Sequence, residues 1–179
     1  MNLIHEAIIF ATLKHNSAKE PNRKGTSIPY ITHPMEVMQI LTANNCPESV
    51  IIAGILHDTL EDTETTPDEI ANQFGLDILK IVQSESEDKS KTWEERKQTT
   101  IDQLKTASMD SKLVCCADKL ANLRSMASDK AEIGEGLWTR FNATKERIAW
   151  YYKEIAEAMP ELADYPMYQE LYRLINEVF

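Results

Sequence analysis

Apolar residues along the chain recur at helical spacing, and no segment shows the strict alternation that marks a half-buried β-strand. A stripe near the N-terminus predicts a first helix over about residues 2–18, and a polar segment with several turn-forming residues follows over 17–31. The next apolar stretch begins behind Pro34, which is tolerated in the first turn of a helix. A third stretch begins behind Pro47 and is apolar on nearly every face over 50–56, as in a fully buried helix.

Helix boundaries in the rest of the chain are marked by capping residues. Thr66 and Thr92 each precede a glutamate by three positions, the spacing of a capping box that begins a helix. Gly75 is a suitable stop between two short helices, and the acidic, serine-rich segment 84–91 is expected to be an exposed loop. Further helices are expected over 112–126 and 138–159. The chain is therefore predicted to be an all-α helical bundle.

Length and composition limit the classes of protein that this sequence can encode. With 179 residues, 42% of them hydrophobic, it suits a single domain over residues 1–179. A net charge of −10 argues against a general nucleic-acid binder, which relies on a basic surface. No apolar run is long enough to cross a membrane, and the N-terminus does not look like a secretory signal. Three cysteines are too few for a disulfide framework, so a cytoplasmic location is expected, while the oligomeric state stays open.

The most informative polar residues are His57 and Asp58, at the end of the third helix, with Glu61 and Asp62 directly beyond them. Residues four apart on a helix share a face, so this segment clusters one imidazole with three carboxylates. Such clustering is costly beside an apolar core unless a cation compensates it, and a divalent metal ion suits these ligands. The simpler interpretation of Glu61 and Asp62 is a solvated, acidic helix end.

His33 and Asp118 are the other candidate ligands, because each interrupts an apolar stretch where an unpaired ionisable group is expensive. Taken alone, His33 is more simply a hydrogen-bonded core residue, and Asp118 a salt-bridge partner of Lys119 or Arg124. Together with the pair that ends the third helix, they favour one metal site. His15 extends the stripe of the first helix and is expected to be a hydrogen-bonded core histidine outside that site.

Four segments in the same order resemble the HD-domain phosphohydrolases, and more narrowly the stand-alone alarmone hydrolases related to the hydrolase half of RelA/SpoT proteins. The first runs from Arg23-Lys24 to Tyr30-Ile31-Thr32-His33-Pro34, and the second is Leu56-His57-Asp58-Thr59-Leu60-Glu61-Asp62-Thr63. The third is Glu87-Asp88-Lys89-Ser90 with Glu95-Arg96-Lys97, and the fourth is Ala117-Asp118-Lys119-Leu120-Ala121-Asn122-Leu123-Arg124. A four-part match is much more specific than a His-Asp doublet, and it implies a bundle of the HD-domain type.

Position by position, the resemblance implies a role for each matching residue. One metal ion, usually Mn²⁺, would be bound by His33, His57, Asp58 and Asp118. The same donor set, two imidazoles and two carboxylates, leaves coordination positions open and suits Mn²⁺ chemically. Glu61 and Asp62 match the pair that activates or orients the attacking water. The substrate contacts would be Arg23, Lys24, Lys97 and Asn122, of which the three cations are otherwise ordinary surface charges.

The activity that the resemblance implies is hydrolysis of guanosine 3′,5′-bis(diphosphate), or its pentaphosphate form, at the 3′ ester. The products would be pyrophosphate and GDP or GTP, so the partner would be a phosphorylated guanine nucleotide. Long RelA/SpoT proteins continue into a synthetase domain that this sequence does not encode, so degradation without synthesis is expected. Three alternatives stay open: another phosphatase or nucleotidase of the superfamily, for example one acting on NADPH; a non-catalytic nucleotide sensor; and a purely structural bundle.

Overall fold

A computed structural model describes residues 2–179, and this part of the chain consists mainly of α-helices, with its longest connection over residues 17–31. No β-strand occurs within the described range, where a single isolated bridge pairs Asn22 with Pro29. The predicted all-α fold is therefore confirmed. The helices are α1 (Leu3–Asn16), α2 (Thr32–Ala43), α3 (Glu48–Leu56), α4 (Thr59–Asp62), α5 (Pro67–Phe74), α6 (Leu76–Glu85), α7 (Trp93–Thr106), α8 (Met109–Ile133), α9 (Lys145–Glu157) and α10 (Pro166–Val178). Short 3₁₀ helices cover Gly134–Arg140 and Pro160–Leu162.

Both predicted capping boxes begin helices. The side chain of Thr66 accepts the backbone N–H of Glu69, and the glutamate carboxylate accepts the Thr66 N–H in return. Thr92 begins α7 in the same way. Gly75 separates α5 from α6 at φ 95°, a left-handed conformation in which a side chain is strained. These local signals act within one turn, which is why the sequence alone reveals them.

Several predicted element bounds are wrong, among them those of the helix expected over 112–126, which is the longer α8. In place of the start of the helix expected over 138–159, the 3₁₀ helix ends at Arg140 and a bend follows over 141–143, so α9 begins only after Thr144 caps it. The loop expected over 84–91 begins inside α6, and Glu87 within it is turned toward the protein. The predicted helices also stop before α10, whose apolar stripe packs against α8 and α9.

The central element is α8, which contacts α2, α3, α6 and α10. Helices α2 and α3 pack closely together at Gly54. A Cβ atom on Gly54 would lie 2.4 Å from Leu41 Cδ1 and 3.1 Å from Val37 Cγ1, so a glycine is needed there for α2 and α3 to pack at this spacing. This spacing matters because α2 carries His33 and α3 ends at His57. Across residues 2–179, none of the helices combines the length and apolarity of a membrane span.

Candidate metal centre and adjoining cavities

His57 follows the last residue of α3, a helix buried over residues 50–56 that breaks before the single turn of α4. Its Nδ1 lies 2.8 Å from the carbonyl oxygen of Gly54. Because a carbonyl oxygen only accepts hydrogen bonds, Nδ1 carries a proton, which leaves Nε2 as the ring nitrogen available to a metal ion. This arrangement is typical of a histidine whose second nitrogen binds a metal ion.

His33 lies in the first turn of α2 and is 2% exposed, like His57. The two Nε2 atoms face each other at 3.3 Å. Asp58 and Asp118 complete the cluster: Asp58 Oδ2 lies 2.9 Å from His57 Nε2, and Asp118 Oδ1 lies 3.0 Å from His33 Nε2. The structure thus brings together four side chains from α2, the α3–α4 junction and α8.

The donor set fits a divalent metal ion. Ligand atoms of His33, His57 and Asp58 all lie within 4.8 Å of one another, with Asp118 Oδ1 on the facing helix 3.7 Å from His57 Nε2. Although burial lowers it, the carboxylates of Asp58 and Asp118 raise the pKa of His57 well above its usual value. Burial raises the pKa of Asp118, but Lys119 and the two histidines hold it well below its usual value. Buried charges of this kind need compensation, which a bound cation supplies.

Neighbouring side chains hold the two carboxylates from outside the cluster. The Tyr30 hydroxyl donates to Asp58 Oδ2 at 2.5 Å. On the other side, Asn122 Nδ2 donates to Asp118 Oδ1 at 2.7 Å, and Lys119 Nζ lies 2.5 Å from Asp118 Oδ2. Each carboxylate is therefore oriented before a ligand binds.

The structure tests the simpler interpretations of these residues. The Asp118–Lys119 salt bridge forms, but it occupies only one carboxylate oxygen while the other faces the histidines. Arg124 pairs with Glu170 instead of Asp118. His15 is buried as expected, but its Nε2 has no hydrogen-bond partner among the described residues, and its ring packs on Tyr30 with centroids 4.8 Å apart.

Glu61 and Asp62 lie on α4 and line the same cavity of about 240 Å³ as the four candidate ligands. We call this space the metal cavity. The Lys89 ammonium donates to the Glu61 backbone oxygen at 2.8 Å and to Asp62 Oδ1 at 3.1 Å, which fixes the turn. Burial raises the pKa of the Glu61 carboxyl. A desolvated carboxylate with a raised pKa is a suitable proton acceptor.

Cations lie in the wall of the metal cavity beyond Glu61. Lys97 Nζ and Arg96 Nη1 bind the two oxygens of Glu87 at 2.7 and 3.2 Å. The Glu87 backbone N–H in turn donates to Glu61 Oε2 at 3.2 Å. Glu87 therefore links Glu61 to the two cations. The sequence placed it in an exposed loop because its inward orientation depends on α7, which is distant from α4 in the chain.

A second cavity, of about 210 Å³, adjoins the metal cavity at Tyr30, His33 and Asn122. We call it the loop cavity, because the loop that carries Arg23 and Lys24 forms one wall. Arg23 Nη2 donates to Asn122 Oδ1 at 3.3 Å. Arg23, Lys24 and Asn122, three of the four predicted substrate contacts, therefore line this one cavity. The fourth, Lys97, lies in the metal cavity.

Several residues of the site were not predicted as such. Tyr30 lines both cavities and binds Asp58, yet its only signal was its place three residues before His33. Glu85, at the end of α6, also lines the metal cavity, and burial raises its pKa to about 7. Arg140 reaches the loop cavity from the 3₁₀ helix. Nothing local in the sequence indicates that Glu85 and Arg140 belong to the site.

Comparison with known proteins gives a family match over most of the chain. Residues 7–146 match the family model described as HD domain. The guanosine-3′,5′-bis(diphosphate) 3′-pyrophosphohydrolase MESH1 of Homo sapiens is 40% identical over 123 residues, which is 68% of each chain. The Drosophila melanogaster protein of the same name is 34% identical over 123 residues, again 68% of each chain.

Solved structures show the same likeness. A Listeria monocytogenes crystal structure superposes with a TM-score of 0.77 at 36% identity, covering 82% of this chain and 98% of the other. The structure of a metazoan orthologue of SpoT, described as hydrolysing ppGpp, superposes with a TM-score of 0.80 at 26% identity. That match covers 100% of this chain and 98% of the other.

Proposed function

Because the chain belongs to the HD-domain family and is a relative of the MESH1 proteins, we propose that it hydrolyses guanosine 3′,5′-bis(diphosphate) and its pentaphosphate form at the 3′ ester. The products are pyrophosphate and GDP or GTP. The observation that carries the proposal is the meeting of His33, His57, Asp58 and Asp118 at one point, beside the carboxylates of Glu61 and Asp62. We also propose that residues 1–179 form one HD-type domain.

The four clustered side chains would hold one metal ion, and two imidazoles with two carboxylates suit Mn²⁺. Such an ion would supply Lewis acidity toward a phosphoryl oxygen and make water a better nucleophile at neutral pH. The Nδ1 proton of His57, held by Gly54, keeps the imidazole in the tautomer that this role requires.

The chain's own residues supply the acid–base and electrostatic parts of the reaction. A water oxygen bonds to phosphorus, the bond from phosphorus to the ribose 3′ oxygen breaks, and that oxygen takes up a proton. Glu61, with Asp62 beside it, is placed to accept the proton of the attacking water. Lys97, in the wall of the same cavity, is placed to neutralise charge on the 3′-diphosphate, which is attacked by water and released as pyrophosphate.

The nucleoside belongs in the loop cavity, next to the metal cavity. Met126, Leu137 and Phe141 give it an apolar wall, while Arg23 and Lys24 provide cations at its rim. Asn122, which hydrogen-bonds both Arg23 and Asp118, stands between the two cavities and is placed to meet the ribose. The three cysteines are unpaired and buried, which suits the reducing cytoplasm where we expect the protein.

A nucleotide panel with the Mn²⁺-loaded protein tests the proposal. We expect pyrophosphate release from guanosine tetraphosphate, and slower or no turnover of NADPH and simple 3′-nucleotides. The double variant E61Q/D62N should lower kcat by roughly 10²–10⁴-fold, the range for loss of general-base catalysis, while Glu64→Gln, an exposed residue two positions on, should leave it unchanged. Turnover of another nucleotide with none of the tetraphosphate would reassign the substrate, and binding without turnover would indicate a sensor.

A further inference from the structure

Arg140 brings a third cation to the loop cavity from a part of the chain that no motif covers. It ends the 3₁₀ helix Gly134–Arg140 and lines the cavity with Arg23 and Lys24. Its side chain lies over Gly25: a Cβ atom at Gly25 would meet Arg140 Cδ at 3.7 Å and Nε at 3.9 Å. Gly25 has φ +73°, a backbone conformation that disfavours residues with a side chain. The arginine therefore packs against the loop at a position that favours glycine.

The loop cavity keeps a positive charge that its own residues do not neutralise. Its charged lining residues apart from His33 are Arg23, Lys24, Arg140 and Asp129, three positive and one negative. Within residues 2–179, the side chains of Arg23 and Lys24 bind only amide oxygens, those of Asn122 and Asn142, at 3.3 and 3.5 Å. A local excess of positive charge in a protein of net charge −10 indicates an anionic ligand.

Arg140 has hydrogen-bonding capacity to spare. Its Nη1 donates to Asp129 Oδ2 at 3.0 Å, and among the described residues this is its one hydrogen bond. A guanidinium carries five N–H donors, so the remaining ones are available to a second acceptor. Both side chains are 30% exposed, so Asp129 holds Arg140 in place without burying it.

We propose that Arg140, with Lys24, binds the 5′-phosphates of the nucleotide, which makes this end of the loop cavity a second anion subsite. This inference rests on the proposed function, because the hydrolysed 3′ ester must lie in the metal cavity. A nucleotide held there by its 3′-diphosphate, with its base against Met126 and Leu137, directs its 5′-phosphates to the cavity rim. Planar guanidinium groups bind phosphate oxygens in pairs, which gives geometric specificity as well as charge.

The test compares two substrates that differ only at the 5′ end, guanosine tetraphosphate and guanosine 3′-diphosphate. Arg140→Gln should raise KM for the tetraphosphate roughly tenfold to a hundredfold, the loss of one charge-assisted hydrogen bond, with little change in kcat. It should leave KM for guanosine 3′-diphosphate within about twofold, the error of such a comparison. Equal changes for both substrates would overturn the proposal in favour of a structural role.

Asp129→Asn is the matched control, because it breaks the same salt bridge while keeping the cation. A phosphate-binding Arg140 predicts an unchanged or lower KM for the tetraphosphate in this variant, since a negative charge leaves the subsite. If the salt bridge has only a structural role, Asp129→Asn and Arg140→Gln should raise KM to a similar extent for both substrates.

A binding measurement separates this inference from the proposed function. The wild-type protein should bind GDP more tightly than guanosine in calorimetry, and Arg140→Gln should weaken only the binding of GDP. If the protein binds GDP more tightly than guanosine and loses this preference in Arg140→Gln, but does not hydrolyse the tetraphosphate, the proposed function fails and the subsite stands. If the tetraphosphate is hydrolysed but Arg140→Gln changes neither KM nor GDP affinity, or GDP is not preferred, the subsite is refuted alone.

Discussion

The Tyr30 hydroxyl donates a 2.5 Å hydrogen bond to Asp58 Oδ2, the same oxygen that lies 2.9 Å from His57 Nε2. The ring of Tyr30 is fixed between two imidazoles, with its centroid 4.8 Å from that of His15 and 5.9 Å from that of His33. Burial and the charge of Asp58 raise the pKa of Tyr30 well above its ordinary value, so the hydroxyl stays a donor. Tyr30 therefore orients the Asp58 carboxylate without belonging to the four candidate metal ligands.

Tyr30→Phe should weaken metal binding by roughly 10–100-fold, the usual effect of losing a hydrogen bond to a metal ligand. Mn²⁺ affinity, measured by calorimetry at fixed pH, is the readout. Tyr168→Phe is the control, because its hydroxyl donates to the Ala156 oxygen in another part of the fold. An affinity for Mn²⁺ as high as that of the wild type would show that Asp58 needs no such support.

Mn²⁺ should stabilise the protein against unfolding, because an ion that binds only the folded chain shifts the equilibrium by mass action. At a hundredfold excess over Kd the gain is about 2.7 kcal/mol. Thermal unfolding with Mn²⁺ and with a chelator measures it. Asp118→Asn should abolish most of the gain, whereas Asp77→Asn, whose side chain is 92% exposed on α6, should keep it. An equal gain in both variants would remove Asp118 from the ligand set.

Gly54→Ala should destabilise the fold by about 1–3 kcal/mol, the usual cost of forcing an extra methyl into a packed core. The added Cβ would lie 2.4 Å from Leu41 Cδ1, so the fully buried Leu41 side chain must shift or α2 and α3 must separate. Because these helices carry His33 and His57, Mn²⁺ affinity should fall as well. Urea unfolding and metal titration are the measurements, and Gly136→Ala, with nothing within 4 Å of its added Cβ, is the control. A variant with wild-type stability would mean that Leu41 moves aside freely.

The charged form of Glu87 should stabilise the fold, so the free energy of unfolding should fall in acid. Burial raises its carboxyl pKa, but the hydrogen bond from Lys97 and nearby positive charges outweigh burial, so its pKa lies below the ordinary value. Its stabilising contribution is therefore present above the pKa of an unfolded-chain glutamate and is lost as pH falls through the lower folded-state value.

Glu87→Gln should accordingly cost about 1–3 kcal/mol near pH 7, the penalty for leaving a hydrogen-bonded partner unsatisfied. The difference from wild type should shrink as the pH falls through the folded-state pKa of Glu87. Denaturant unfolding across the pH range measures this, with Glu64→Gln as an exposed control. A difference that does not change with pH would show that Glu87 acts through packing and not through its charge.

The sequence predicted those features that depend on local chemistry. Capping boxes at Thr66 and Thr92 reveal helix starts because both partners lie within one turn. Candidate ligands such as His57 and Asp118 were identified because ionisable groups interrupt apolar runs. The all-α fold followed from periodicity that extends through most of the chain.

Features that depend on packing between distant segments were not predicted. Glu87 faces inward because Lys97 on α7 and the Glu61 carboxylate meet it there. Arg140 joins the loop cavity only because the 3₁₀ helix folds back over Gly25, more than a hundred residues earlier. The break before α9 was missed since Trp138 and Phe141 continue an apolar pattern while the backbone turns at 3₁₀ spacing.

Asp118, Asn122 and Asp129 are all carried by the one continuous helix α8. At 1.5 Å per residue, the eleven-residue step from Asp118 to Asp129 fixes a distance of about 16 Å along the axis. The helix therefore sets the spacing between the candidate metal ligand Asp118 and Asp129, the residue that holds Arg140. Inserting one residue between Asn122 and Asp129 would rotate Asp129 by about 100° around the helix axis, so the partnership of Asp129 with Arg140 depends on the register of a single helix.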